Sequence, residues 1–219
     1  MEAKIAYDSV CEKVAEMYRE DGWKYAKSKH WLTKKDKNFT YKIIFYTSWN
    51  NRSDEKVVFY GAFAIYSNKT KQCFTALSTE DCNIPKGELH WNVATEDVWD
   101  DVVYEFTEWL NTTCFPIIEE CTNNLNEYMK KVVKEGFYPW KGYIINIDFV
   151  LQFGTREQAE EASKRFYNEL NENVQKSFRS NYESMINGGE AVDEYGSFQM
   201  LNPSAFRTII ENKIKVDFN

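Results

Sequence analysis

The chain has 219 residues, 43% hydrophobic and 16% aromatic, which excludes a disordered chain and allows a large buried core. Its formal net charge of −7 argues against a nucleic-acid partner for the chain as a whole, because phosphate backbones are held by an excess of lysine and arginine. No segment reaches the ~18 consecutive apolar residues of a membrane span. Met1–Glu20 carries Glu2, Asp8, Glu12, Glu16 and Glu20 and lacks the apolar stretch of a secretory signal, so no membrane association and a cytoplasmic location are expected.

Residues 3–21 read as an amphipathic helix with Val10, Val14, Met17 and Tyr18 on one face, and Gly22 is placed to end it in a left-handed turn. A strand is predicted from Trp23 to Thr33, followed by a polar turn at Lys35-Asp36-Lys37-Asn38. Residues 39–49 alternate, with Phe39, Tyr41, Ile43, Phe45 and Trp49 on one side and Thr40, Lys42 and Ser48 on the other. Val57 to Tyr66 is apolar or aromatic on both sides, the pattern of a strand covered on both faces. Short strands are predicted at Gln72–Ala76 and at Glu88–Val93, the second after a loop with Pro85 and Gly87.

Thr95 then reads as an N-cap, with Glu96 and Asp97 in the first turn where the helix dipole favours anions. Trp99, Val102, Val103, Phe106 and Leu110 make the apolar stripe of that helix, and Pro116 breaks or kinks it. A second helix runs through Ile118, Cys121, Leu125, Met129 and Val132 to Gly136, and a strand is predicted at Tyr143–Phe153. Gly154-Thr155 opens a long helix, Thr155 and Gln158 fitting a capping box, with Ala159, Ala162, Phe166, Leu170, Val174 and Phe178 recurring along it. Gly188-Gly189 ends it, and Asn202-Pro203 starts a last short helix through Ile209 and Ile210. The expected organisation is one domain over 1–189 and a docked C-terminal tail with a short helix over 190–219. Its fold class is α+β: an antiparallel sheet of about five or six strands with helices packed largely on one face.

No residues carry a catalytic, metal or cofactor signature. His30 and His90 have no ligand partners at helical spacing, and the five cysteines (Cys11, Cys73, Cys82, Cys114, Cys121) lack the C-x₂₋₄-C spacing of zinc sites, so buried free thiols are expected. The sites beginning at Asn38, Asn51, Asn68 and Asn111 match the glycosylation pattern but read as polar turns in a cytosolic chain. Gly154-Thr155 after a strand could offer amides to a phosphate, yet without further glycines it is ordinary helix entry.

Charge is unevenly distributed. Residues 24–42 hold Lys24, Lys27, Lys29, Lys34, Lys35, Lys37 and Lys42 against Asp36 alone, interleaved with Tyr25, Trp31, Phe39 and Tyr41. Lysines beside rings on a sheet are what a single-stranded nucleic-acid platform uses, with Lys34, Lys35, Lys37 and Trp31 its candidate residues. The alternative is that the lysines decorate a wet strand and blunt its edge. Residues 80–127 are the reverse, and Asp97, Asp101, Glu105 and Glu108 step along one helix face opposite the apolar stripe. Such a stripe is either a solvated surface or a docking face for a basic protein. The favoured reading is a non-enzymatic protein-binding module, immunity- or antitoxin-like, that presents this acidic face to a basic partner. A nucleic-acid binder through the 24–49 hairpin is the first alternative, and an enzyme with a site around Glu88, His90 and Trp91 the second.

One resemblance accompanies this reading. Gly22-Trp23-Lys24, the hairpin Trp31-Leu32-Thr33-Lys34-Lys35, the strand end Ile65-Tyr66-Ser67, Phe115-Pro116 and Gly154-x-x-x-x-Ala159 come in an order that resembles a bacterial domain-of-unknown-function family, number 4304, over residues 3–175. The resemblance implies an α+β cytosolic bacterial protein and carries over no residue role.

Overall fold

The computed structural model describes residues 1–79, 90–135, 146–192 and 203–218. The chain divides into two compact units, Met1–Asn123 and Asn124–Asn219, a boundary between helices rather than at Gly188-Gly189.

In the first unit a helix, α1 (Ala3–Met17), precedes strands β1 (Lys24–Ala26), β2 (Trp31–Lys35), β3 (Phe39–Thr47), β4 (Val58–Ser67), β5 (Cys73–Ser78) and β6 (Trp91–Asn92). All neighbours pair antiparallel in the order β1-β2-β3-β4-β5, and β6 pairs the start of β4. Helix α2 (Trp99–Trp109), a five-residue π-helical segment (Leu110–Cys114) and α3 (Phe115–Asn123) complete the unit. The fold is α+β with an antiparallel sheet, as expected.

The alternation in β3 sends Phe39, Tyr41, Ile43 and Phe45 into the core, where they are buried with Phe59, Phe63 and Ile65 of β4. Helices supply the other half of this core. Phe106 of α2 sits 5.9 Å from the Phe45 ring, 5.2 Å from Phe59 and 5.9 Å from Trp91, while Tyr7 of α1 approaches Phe59 at 6.2 Å. Gly61 makes this packing possible: a Cβ there would lie 2.7 Å from two Phe106 ring carbons, closer than carbon atoms tolerate.

Several expectations need correction. The predicted strand Trp23–Thr33 is interrupted by a 3-10 turn at Lys27–Lys29 that ends in His30 with a left-handed φ of 50°. Trp49 lies beyond the end of β3 in the connection to β4 and is 96% exposed instead of facing the core. Met17 is 62% exposed, because the buried stripe of α1 runs through Ala6, Tyr7, Val10, Cys11, Val14 and Ala15. Gly22 takes φ +83°, but α1 has by then given way to turns. Strand β6 is two residues long, and the rest of the predicted strand at Glu88–Val93 partly falls outside the described residues, as does the Pro85–Gly87 loop. Thr95 holds the N-cap position of a 3-10 turn at Glu96–Val98 but makes no side-chain cap bond. The helix interruption attributed to Pro116 takes the form of the π segment just before it: Pro116 sits at the second position of α3, and the path stays helical while its hydrogen bonding shifts.

The second unit, as described, contains only helices: α4 (Leu125–Glu135), α5 (Ile147–Phe153), α6 (Arg156–Asn168), α7 (Glu172–Met185) and α8 (Pro203–Glu211). The predicted strand over 143–153 is therefore a helix from Ile147 on, started by Asn146, whose side chain accepts from the Phe149 amide at 3.0 Å. Short apolar runs do not separate a strand from a buried helix by periodicity, and the Asn cap decides. The Thr155–Gln158 capping box is present. The long helix predicted after it is two helices, because Asn171 caps α7 by accepting from Val174 at 3.1 Å. Phe178 is the hub of this core, with Phe206 at 5.0 Å and Tyr167 at 5.4 Å. The C-terminal segment is tied to α7: the buried Tyr182 hydroxyl donates to the Ile214 carbonyl at 3.0 Å and accepts from the Val216 amide at 3.2 Å.

Candidate functional site

Two surfaces of the first unit concentrate the chemistry. On α2 the buried side is Trp99, Val102, Val103 and Phe106, and helical spacing turns Asp101, Tyr104, Glu105 and Glu108 to the other side. Asp97 lies just ahead in the 3-10 turn. Asp97 and Asp101 are exposed, and no hydrogen bond or ion pair holds them among the described residues. Glu105 accepts from the Trp91 indole at 2.7 Å, and Asp100, on the flank, pairs with Lys13 at 2.8 Å. Tyr104, which periodicity does not single out because it breaks the polar pattern, is 67% exposed in the middle of these carboxylates. Like charges four residues apart on a helix repel by a few tenths of a kcal/mol, so the Asp101–Glu105 spacing gains α2 no stability.

The second surface is the side of the sheet away from α1 and α2. Cross-strand register places Lys24, Thr33, Lys42 and Ala64 in one row, Ala26, Trp31, Ile44 and Ala62 in the next, and Tyr46 opposite Tyr60 beyond them. The Lys42 ammonium lies 4.3 Å from the Trp31 ring centre and 4.4 Å from that of Tyr66, and Lys29 caps Trp31 at 4.9 Å. Tyr46 stacks on Tyr60 at 5.3 Å, and Tyr60 stacks on His90 at 5.5 Å. The six strands contain four lysines and no carboxylate. Asp36 is turned to the helix side, its carboxylate accepting from the Asn38 and Phe39 amides at 2.7 Å and from Tyr41 at 2.6 Å.

Of the four residues read as a nucleic-acid site, register brings only Trp31 and Lys35 to this face. Lys34 pairs with Tyr41 and so shares the core side, and Lys37 sits in the turn between β2 and β3. Lys42, Tyr46, Tyr60, Tyr66 and His90 join instead, from distant positions in the sequence that only strand pairing aligns.

His30 Nε2 is 2.9 Å from Asp8 and its ring is 5.0 Å from Tyr7, a link between the interrupted hairpin and α1. A cleft of about 290 Å³ between α1 and β1 is lined by Glu12, Glu16, Arg19, Trp23, Tyr25 and Lys27, with a Glu12–Lys27 ion pair across it and a local Glu16–Arg19 pair at the end of α1. Burial pushes the thiols of Cys11, Cys114 and Cys121 up, which leaves them protonated and unreactive, whereas Cys73 is exposed. Cys82 and Glu88 lie outside the described residues, so the enzyme alternative reduces to His90 stacked on Tyr60 and Trp91 held by Glu105. Among the described residues, no group of three or more His, Cys, Asp or Glu is placed to hold a metal ion, and no helix is long and apolar enough to cross a membrane.

In comparisons with known proteins, no family model, no curated protein and no solved structure matches the chain.

Proposed function

We propose that this chain is a non-enzymatic, cytoplasmic protein-binding module of the immunity or antitoxin kind, which presents the outer face of α2 to a basic partner protein. The observation that carries the reading is the position of Tyr104: a large, exposed ring surrounded by Asp97, Asp101, Glu105 and Glu108 on a helix whose other side is anchored in the core. Interfaces concentrate their energy in a few aromatic or arginine anchors ringed by polar contacts, and a like-charged rim steers and orients a partner of opposite sign. Asp97 and Asp101 are suited to steering rather than to proton transfer, because they face solvent instead of crowding one another in a dry site.

The test is affinity capture from cell extract with the full chain as bait, comparing wild type with Tyr104→Ala and with Asp97→Lys/Asp101→Lys. Glu105 is left intact, since it holds Trp91. The reading expects one basic protein to be retained by the wild type and lost with both variants while their thermal melts stay unchanged. Retention of the same protein by both variants would exclude this face.

A further inference from the structure

We propose that the open side of the sheet is a second binding surface, independent of the α2 face, and that its ligand is a short single-stranded nucleic acid. Two features set the ligand class. The first is charge: Lys24, Lys35 and Lys42 project from strands that contain no carboxylate, and Lys29 adds a fourth ammonium at the Trp31 ring. Among the described residues, the strands of this face thus carry lysines and no carboxylate, which fits an anion. The second is the rings. Tyr46, Tyr60 and His90 form a stacked row, and Trp31 and Tyr66 flank Lys42. Aromatic platforms on a sheet accept unstacked bases whatever their sequence, and neighbouring lysines take the phosphates.

The two groups divide the task between them. Lys42 fills the space between Trp31 and Tyr66, so this end of the face offers cations rather than bare rings. Tyr46, at 39% exposed, offers ring surface instead. Lys42 and Tyr46 stand four positions apart on β3, about 13 Å along an extended strand. Between the two lie the buried side chains of Ala62 and Ala64 in β4. A single strand crossing this floor would set its phosphates at the lysine end and stack bases at the tyrosine end. Duplex DNA, whose bases are already stacked and paired, has nothing to place on Tyr46.

The experiment is fluorescence anisotropy of the full-length protein with labelled oligo-dT and oligo-U of twelve nucleotides and a duplex of equal length, over a range of salt. Both single strands are expected to bind at low salt and the duplex to bind more weakly. Lys42→Gln and Lys29→Gln should each flatten the salt dependence, by about 0.7 in the log–log slope for each phosphate that is no longer neutralised. Tyr46→Ala should weaken binding about five- to hundred-fold for each base left unstacked, with the slope unchanged. Tyr46→Phe and Lys42→Arg, which keep the ring and the charge, should bind as wild type. Asp97→Lys/Asp101→Lys should not weaken oligonucleotide binding, so loss of the α2 interaction and loss of this one are read separately. No single-strand binding at low salt, equal or tighter binding of the duplex, or insensitivity both to the lysine-to-glutamine variants and to Tyr46→Ala would overturn the proposal.

Discussion

The two faces of the first unit are built by different means. The outer side of α2 is local: its carboxylates and Tyr104 come from one short stretch of chain and are aligned by helical pitch alone. The open side of the sheet is assembled: Trp31, Lys42, Tyr60 and Tyr66 belong to three strands and meet only because β2, β3 and β4 pair in one register. A local face tolerates repacking elsewhere, whereas an assembled face depends on every strand keeping its place, since a slip of one residue turns each of its side chains to the core. The two faces also carry opposite charge, and the shared core between them is what keeps them apart.

That shared core supplies the harshest way to break the comparison. Phe106 is fully buried against both β3 and β4, so Phe106→Ala should cost about 3–5 kcal/mol and remove both binding activities together. Gly61→Val should act similarly by forcing the Phe106 ring off β4. Denaturant melts would detect either loss, and a change under about 1 kcal/mol in both variants would contradict the packing described. Replacing Tyr182 by Phe tests the second unit by contrast: it removes the bonds to Ile214 and Val216 and should destabilise by roughly 1–3 kcal/mol, read from the same melts.

A smaller effect follows from the buried thiols. Burial raises the pKa of Cys11, Cys114 and Cys121 in the folded chain, so the fold prefers them protonated. Their contribution is fully present below the ordinary thiol pKa of about 8.5 and declines as pH rises above it, because the unfolded chain loses those protons first. Denaturation midpoints should therefore fall between about pH 8 and pH 9.5. Among the four described cysteines, only Cys73 should be alkylated at neutral pH without unfolding, as peptide mapping would show. The smallest change is expected at Trp49, which is 96% exposed: Trp49→Ser should shift stability by no more than about 0.5 kcal/mol.

The same contrast explains what can be read in the amino-acid sequence. The α2 face is legible because period-3.6 spacing separates its buried and exposed sides within a single helix, and the buried stripe from Trp99 to Leu110 is as the spacing predicts. The core side of β3 is legible for the same local reason up to Phe45; Trp49 escapes it because alternation carries no information past the end of a strand. The open sheet face is only half legible. Lysine and aromatic content in residues 24–42 signals it, but alternation within one strand does not tell which residues of the next strand stand beside it. Composition thus points to Lys34 and Lys37, which register turns elsewhere, and passes over Tyr46, Tyr60 and His90. In the second unit, the two asparagine caps at Asn146 and Asn171 outweigh apolar periodicity, starting a helix where a strand is expected and dividing a helix expected to be continuous.

The separation of the two faces is tested most directly by a two-dimensional amide NMR titration of the intact protein with oligo-dT. Shift changes are expected to be confined to residues 29–46 and 58–66, together with His90, and the amides of 97–108 to stay unmoved. Shifts centred on α2, or none on the sheet, would contradict a sheet face that binds independently of the acidic helix.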